Sequence, residues 1–220
     1  DMAAAGIAGP QNVLEGPFGY FNLFEGEHDL APVVESLGEV WRMPEVAHKP
    51  FPSGRATHGL VDAVLQLQRE HGFAVADITS VQADVPPLTQ YAVASAMLTG
   101  GLGIADFVSA ALAARDRLEL AGRVTITADA NPDPNALSPI TVSVRLADGR
   151  ELARTLTAIY GNPANPMTHE AHLAKSRTNA KAAAKPLSDG AIAALIALVD
   201  DLEHQPSTAP LLALAFGESA

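Results

Sequence analysis

Apolar residues recur at helical spacing in some stretches of the chain and alternate with polar ones in others, and the change of period divides it. Leu30, Val33, Val34, Leu37 and Trp41 fall at helical intervals and predict an amphipathic segment over Leu30–Trp41. Ahead of it, Gly9-Pro10, Gly16-Pro17 and Gly26 predict loops around short helices. The run Lys49-Pro50-Phe51-Pro52-Ser53-Gly54 is extended or turned, because each proline drives its predecessor out of the α region. A firm helix follows, with Thr57 as N-cap, an apolar face of Leu60, Val61, Val64, Leu65 and Leu67, and Gly72 as its stop. Leu88–Leu98 predicts a second helix, almost free of charge and therefore buried, that ends at Gly100-Gly101. Ile104–Leu120 predicts one or two more.

Strand signals fill the middle. Ala74–Val85 carries β-branched residues in loose alternation up to Pro86-Pro87. Arg123–Ala128 and Ile140–Leu146 alternate strictly, as half-buried strands do. Asp148-Gly149 predicts a hairpin with a type I′ turn, and Glu151–Ile159 returns as its partner. Asn131-Pro132-Asp133-Pro134-Asn135 is the loop leading to that hairpin. Beyond Gly161, Thr168 caps a helix with Ala171 and Leu173 on its apolar side, Ser188 caps Asp189–Leu202, and Ala209–Phe216 is a last short helix. The fold class is α+β, a small antiparallel-containing sheet with helices before and after it.

Composition narrows the function classes. Hydrophobic residues make up 48% of the 220 and charged residues 18%, enough apolar surface for a core and the reverse of a disordered chain. Aromatics are only 5%, so that core is built of Ala, Val, Leu and Ile. Fourteen Lys and Arg against 25 Asp and Glu leave a net charge of −11, which repels phosphate backbones, and no basic run offsets it. Nucleic acid is excluded as a partner on that ground. The absence of cysteine removes disulfides, thiolate nucleophiles and sulfur-ligated metal centres, and suits a cytoplasmic protein. No apolar stretch reaches the length of a membrane span.

The densest polar cluster is Lys49 to His58, where a cation, a hydroxyl, a guanidinium and an imidazole lie on a proline-stiffened loop feeding a helix start. Lys49 and Arg55 there suit carboxylates, with Ser53 beside them, and His58 titrates near neutrality. A surface loop with ordinary charges is the competing reading of the same residues. His169 and His172 stand at i, i+3 on a predicted helix and could chelate a metal. No third ligand accompanies them, so an exposed polar face is expected instead. Gly100-Gly101-Leu102-Gly103 lacks both a preceding strand and the third glycine of a dinucleotide loop.

Several segments together, in order, resemble the second half of the MmgE/PrpD family, which includes 2-methylcitrate dehydratase, cis-aconitate decarboxylase and iminodisuccinate epimerase. They are Gly9-Pro10 to Gly19, Leu37-Gly38 to Trp41, Lys49 to Ala63, Tyr91 to Gly100, Asp148-Gly149-Arg150, and Gly161 to Met167 with Lys175 beyond it. The resemblance implies a lid domain of α+β type over residues 49–160. Residues 1–48 and 161–220 are then segments of an all-helical domain whose first half is not in the chain. It further implies no metal and no cofactor, a small polycarboxylate substrate, and a homo-oligomer or pairing with the missing N-terminal helical half. Lys49 matches the active-site lysine that opens the family motif, His58 the histidine at its end, and Tyr91 falls at or within one residue of the active-site tyrosine. The decarboxylase has a further histidine five residues after the lysine. Gly54 stands there, and argues against decarboxylation. The function so implied is that of a lyase, hydrating or dehydrating a di- or tricarboxylate such as 2-methylcitrate. An epimerase using the same proton abstraction, or a non-catalytic fragment or subunit, are the alternatives.

Overall fold

The computed structural model describes residues 2, 4–84, 89–127 and 136–216. The expected strand end at Val85 to Pro87, Leu88, Ala128 and the loop 131–135 lie outside the described residues. The chain divides into two compact units, Asp1–Glu45 and Val46–Ala220.

The first unit contains a π-helical turn at Phe21–Glu25, a four-residue helix α1 (Ala31–Val34) and a 3-10 turn at Met43–Glu45. The amphipathic helix expected over Leu30–Trp41 is thus realised only in its first turn. Pro32 fits that turn, where no intrahelical N–H is required, but the chain leaves the helix in turns through Ser36 and Gly38. Phe18, Phe24, Leu37 and Trp41 are largely exposed.

The second unit opens with α2 (Arg55–His71). Its N-cap is Gly54 rather than Thr57, so the helix starts three residues before the sequence reading has it. Thr57 is drawn inside because its hydroxyl donates back to the Gly54 carbonyl at 2.9 Å and meets Ser53 Oγ at 2.5 Å. A 3-10 turn at Val75–Asp77, closed by the Asp77 carboxylate on the Ala74 N–H (3.1 Å), occupies the start of the expected strand, and β1 is Ile78–Asp84. Then come α3 (Gln90–Thr99), a 3-10 turn (Ile104–Phe107), α4 (Ser109–Leu112) and α5 (Arg115–Ala121), followed by β2 (Val124–Thr127), β3 (Ile140–Leu146) and β4 (Glu151–Leu156).

The sheet order is β2-β1-β3-β4. β1 and β2 run parallel, joined by the helical crossover that parallel strands require, while β1–β3 and β3–β4 are antiparallel. The fold is α+β, as the periodicities predict. Val142 and Val144 are wholly buried while Thr141, Ser143 and Arg145 take the other face. Onto the buried face α2 lays Leu60, Ala63, Val64 and Leu67, and α3 lays Val93, Ala94 and Met97. Each Val, Leu or Met side chain among them contributes about 1.5–3 kcal/mol by leaving water. The β3–β4 hairpin forms where expected, but its turn is not type I′. Leu146 and Arg150 pair across a three-residue loop, and only Gly149 needs a positive φ (+88°), which gives a type I turn with a glycine bulge.

A second apolar cluster unites Val61 and Leu65 of α2 with Ala92 and Ala96 of α3 and with Leu102, and Phe51 and Phe107 pack against it. It anchors the segments that carry Phe51, Leu102 and Phe107 against α2 and α3. Beyond β4 lie α6 (His169–Lys181), α7 (Asp189–Asp200), a 3-10 turn (Leu202–His204) and α8 (Ala209–Phe216). Thr168 and Ser188 cap α6 and α7 as read from the sequence, accepting from Ala171 N (3.1 Å) and Ala191 N (3.2 Å). Among the described residues no helix is long and apolar enough to cross a membrane.

Candidate active site

The two prolines stiffen residues 49–52, and one tight turn fixes where they run. Gly161 to Met167 folds back on itself, with Gly161 N donating to Asn165 O (2.8 Å) and Asn165 Nδ2 to Ala158 O (3.1 Å). This presents the Gly161 carbonyl to His48 N at 2.8 Å. Gly161 has φ +91°, and an added Cβ would lie 3.0 Å from Pro50 Cδ and well inside contact with the His48 carbonyl oxygen. The absence of a side chain at 161 therefore lets the two backbones meet and sets the position of Lys49.

Lys49, Pro50, Phe51 and Pro52 form one wall of a cleft of about 270 Å³. Leu102 and Ile104 form its apolar floor, and Lys175, Thr178 and Asn179 of α6 face it from the other element. Both charged residues of this lining are cationic, in a chain whose net charge is −11. The floor is held from behind. Asp106 accepts from Gly103 N at 2.7 Å and pairs with Arg117 at 2.5 Å, both side chains being largely buried, and Tyr91 donates its hydroxyl to the Asp106 carbonyl at 2.6 Å. The same carboxylate raises the Arg117 pKa further, mainly by hydrogen bonding.

The residues singled out from the sequence are distributed unequally around this cleft. Lys49 lines it. Ser53 is half-buried and joined to Thr57 at the helix start, and Arg55 is exposed on the first turn of α2. His58 is wholly buried behind Phe51, whose ring it meets edge-to-face at 5.6 Å. Its Nε2 lies 3.3 Å from the Ser53 carbonyl, to which a proton on that nitrogen donates, and Nδ1 has no hydrogen-bond partner. Burial lowers the His58 pKa; the Ser53 carbonyl works against that, and the positive charges of Lys49 and Arg55 add to it. Tyr91 stands behind the floor, its hydroxyl committed to the Asp106 backbone.

Lys175, Thr178 and Asn179 were not singled out as site residues. Their i, i+3, i+4 spacing, which puts three polar groups on one helical face, is the signal that could have found them. One turn back on α6, His172 is half-buried rather than exposed, its ring edge-on to His48 at 4.6 Å. Its pKa is lowered, first by burial and then by His48 and Lys175. Among the described residues no three His, Cys, Asp or Glu side chains gather as metal ligands.

Comparison with known proteins adds a lineage to this geometry. The sequence signature of the MmgE/PrpD C-terminal domain matches residues 88–201, just over half of the chain. Human cis-aconitate decarboxylase is 26% identical over 245 aligned residues, an alignment that covers 99% of this chain and 50% of that protein. The chain spans about half the length of the curated relative it matches.

Proposed function

Since the chain belongs to the MmgE/PrpD family, we propose that its cleft is the anion-binding half of a lyase site for small di- or tricarboxylates. The observation that carries this reading is the pair of cations, Lys49 and Lys175, on an otherwise uncharged and partly apolar lining. In such a reaction a base takes a proton from the carbon next to a carboxylate. The electron pair becomes the new C=C bond, and the hydroxyl on the adjacent carbon leaves, protonated, as water. Negative charge builds on the carboxylate as the proton departs, and an ammonium beside it lowers the barrier. Lys49 is the residue assigned that role.

The lining contributes two lysines, a hydroxyl and an amide, and neither a carboxylate nor an imidazole. His58 packs against the cleft wall through Phe51, and its Nδ1 has no hydrogen-bond partner. The proton acceptor in this reading is His58 once Phe51 turns aside, or a group supplied by further polypeptide. The exposed apolar side chains of the first unit, Phe18, Phe24 and Trp41 among them, favour further polypeptide. Epimerisation is the second reading, because it begins with the same proton loss and ends with its return to the opposite face.

The test uses the protein as its gene encodes it, with 2-methylcitrate, citrate and related hydroxy acids in D2O followed by proton NMR. A new alkene signal supports the lyase, and deuterium entering without an alkene supports the epimerase. Lys49→Gln is expected to lower kcat/KM by about 10- to 100-fold, the loss of one charge-assisted hydrogen bond. An unchanged kcat/KM in that variant removes Lys49 from the site.

A further inference from the structure

The cleft presents two ammonium groups from segments that are far apart in sequence. Lys49 comes from the proline-stiffened wall and Lys175 from the middle of α6, and both line a volume of about 270 Å³. Among the described residues neither is paired with a carboxylate, although the chain holds 25 acidic side chains against 14 basic ones. Two like charges confined to one small cleft repel each other, and that repulsion is relieved when each receives its own anion. Asn179 lies one helical turn beyond Lys175 on the same face, with Thr178 beside it, so this wall offers an amide and a hydroxyl next to the ammonium. By contrast Lys181, at the end of the same helix, is already engaged with Asp189 of α7 at 2.8 Å.

We propose that α6 supplies a second carboxylate station in this cleft. Lys175, with Asn179 beside it, takes one carboxylate of the ligand while Lys49 takes another, and the carbon skeleton between them lies over Leu102 and Ile104. Lys175 is thus the residue that selects a polycarboxylate over a monocarboxylate. The proposal rests on the reading of the cleft as a carboxylate site and deepens it by naming what sets the number of carboxylates.

The experiment measures binding rather than turnover, by isothermal titration of the full-length protein at low salt. The probes are tricarballylate, which has three carboxylates and no hydroxyl to eliminate, and butyrate, which has one carboxylate. Lys175→Gln is expected to weaken tricarballylate by about tenfold or more and to leave butyrate within about twofold, because one charge-assisted contact is lost only for the longer acid. Lys175→Arg keeps the charge and restores most of the affinity, which separates the loss of a contact from a disturbed helix. Lys181→Gln removes the same charge from the same helix outside the cleft, and leaves both affinities unchanged. Tricarballylate binding that is equal in Lys175→Gln and the parent overturns the proposal, as does equal weakening by Lys181→Gln, which would mark a diffuse field. If Lys49→Gln weakens both acids while Lys175→Gln weakens neither, only the second station falls. If the parent binds neither acid, the carboxylate reading falls and takes the second station with it.

Discussion

Gly161 and Gly149 provide a matched pair for testing whether the close approach of two backbones holds the site. Their φ angles are +91° and +88°, so replacing either by alanine imposes nearly the same conformational cost, about 1–2 kcal/mol for an L-residue in left-handed space. They differ in what a new methyl group meets. Around Gly149 nothing lies within 4 Å. At Gly161 the methyl group overlaps the His48 carbonyl oxygen and stands 3.0 Å from Pro50 Cδ, and neither atom is the free end of a flexible chain. Overpacking of this kind costs about 1–3 kcal/mol. Relief requires the two strands of backbone to part, which strains the 2.8 Å bond from His48 N to Gly161 O. Losing that bond adds about 0.5–1.5 kcal/mol more. Gly149→Ala should therefore cost about 1–2 kcal/mol and Gly161→Ala about 2.5–6.5 kcal/mol, a large part of the 5–15 kcal/mol typical of a domain. Urea denaturation with comparable m-values measures both. Lys49 moves with His48, so Gly161→Ala should also weaken tricarballylate binding at urea-free equilibrium, whereas Gly149→Ala should not. Equal destabilisation by the two substitutions would refute the argument, since it would show that the His48 segment gives way at no cost.

Two further outcomes follow from the buried polar groups. Asp106→Ala leaves Arg117 without its partner and Gly103 N without its acceptor, and should cost about 3 kcal/mol in thermal or urea unfolding while weakening ligand binding through the loosened floor. Arg117→Met together with Asp106→Ala should recover part of that loss, and a double variant no better than the single one would count against the pairing. Burial lowers the His58 pKa below its ordinary 6.5, so the unfolded chain binds a proton there more readily than the native one. Stability unaffected by His58 above neutrality should then fall as the pH drops from about 7 towards 5.5, with His172 adding in the same direction. Asp62, whose carboxyl pKa burial raises, acts oppositely, because its native form takes up the proton first as the pH falls further. His58→Gln should flatten the slope between about pH 7 and 5.5, and identical slopes with and without His58 would contradict its buried, uncharged placement.

The elements legible in the sequence are those whose signal is local. The caps at Thr168 and Ser188, the stop at Gly72 and the alternation of Ile140–Leu146 each depend on residues within a few positions, and each forms where the pattern puts it. Competing contacts, near as well as distant in the chain, defeat the others. Thr57 has the composition of an N-cap, yet Ser53 lies four residues back and gives its hydroxyl a better place inside the first turn. Asp148-Gly149 carries a type I′ signature, but the β3–β4 register, with Arg145 opposite Glu151, leaves three residues for the turn instead of two. The parallel pairing of β1 with β2 depends on the crossover helices and could not be read from either strand alone.

The same distinction governs the site. The cluster from Lys49 to His58 is conspicuous in sequence because polar residues crowd together, but crowding says nothing about direction. In the structure Ser53, Thr57 and His58 turn inward and build the start of α2, through the Ser53–Thr57 hydroxyl contact and the bond from His58 to the Ser53 carbonyl. Among the five residues first assigned to the site, Lys49 is the one on the cleft lining, and its counterpart Lys175 lies 126 positions away on a helix of low amphipathicity. What unites them is backbone geometry at Gly161, whose carbonyl bonds His48 a few residues ahead of α6 in the chain. That turn orders both walls at once, since the wall residue Lys49 follows His48 directly and α6 begins shortly after the turn closes. A motif without a single reactive side chain, Gly161 to Met167, therefore shapes the cleft as fully as the lysines do.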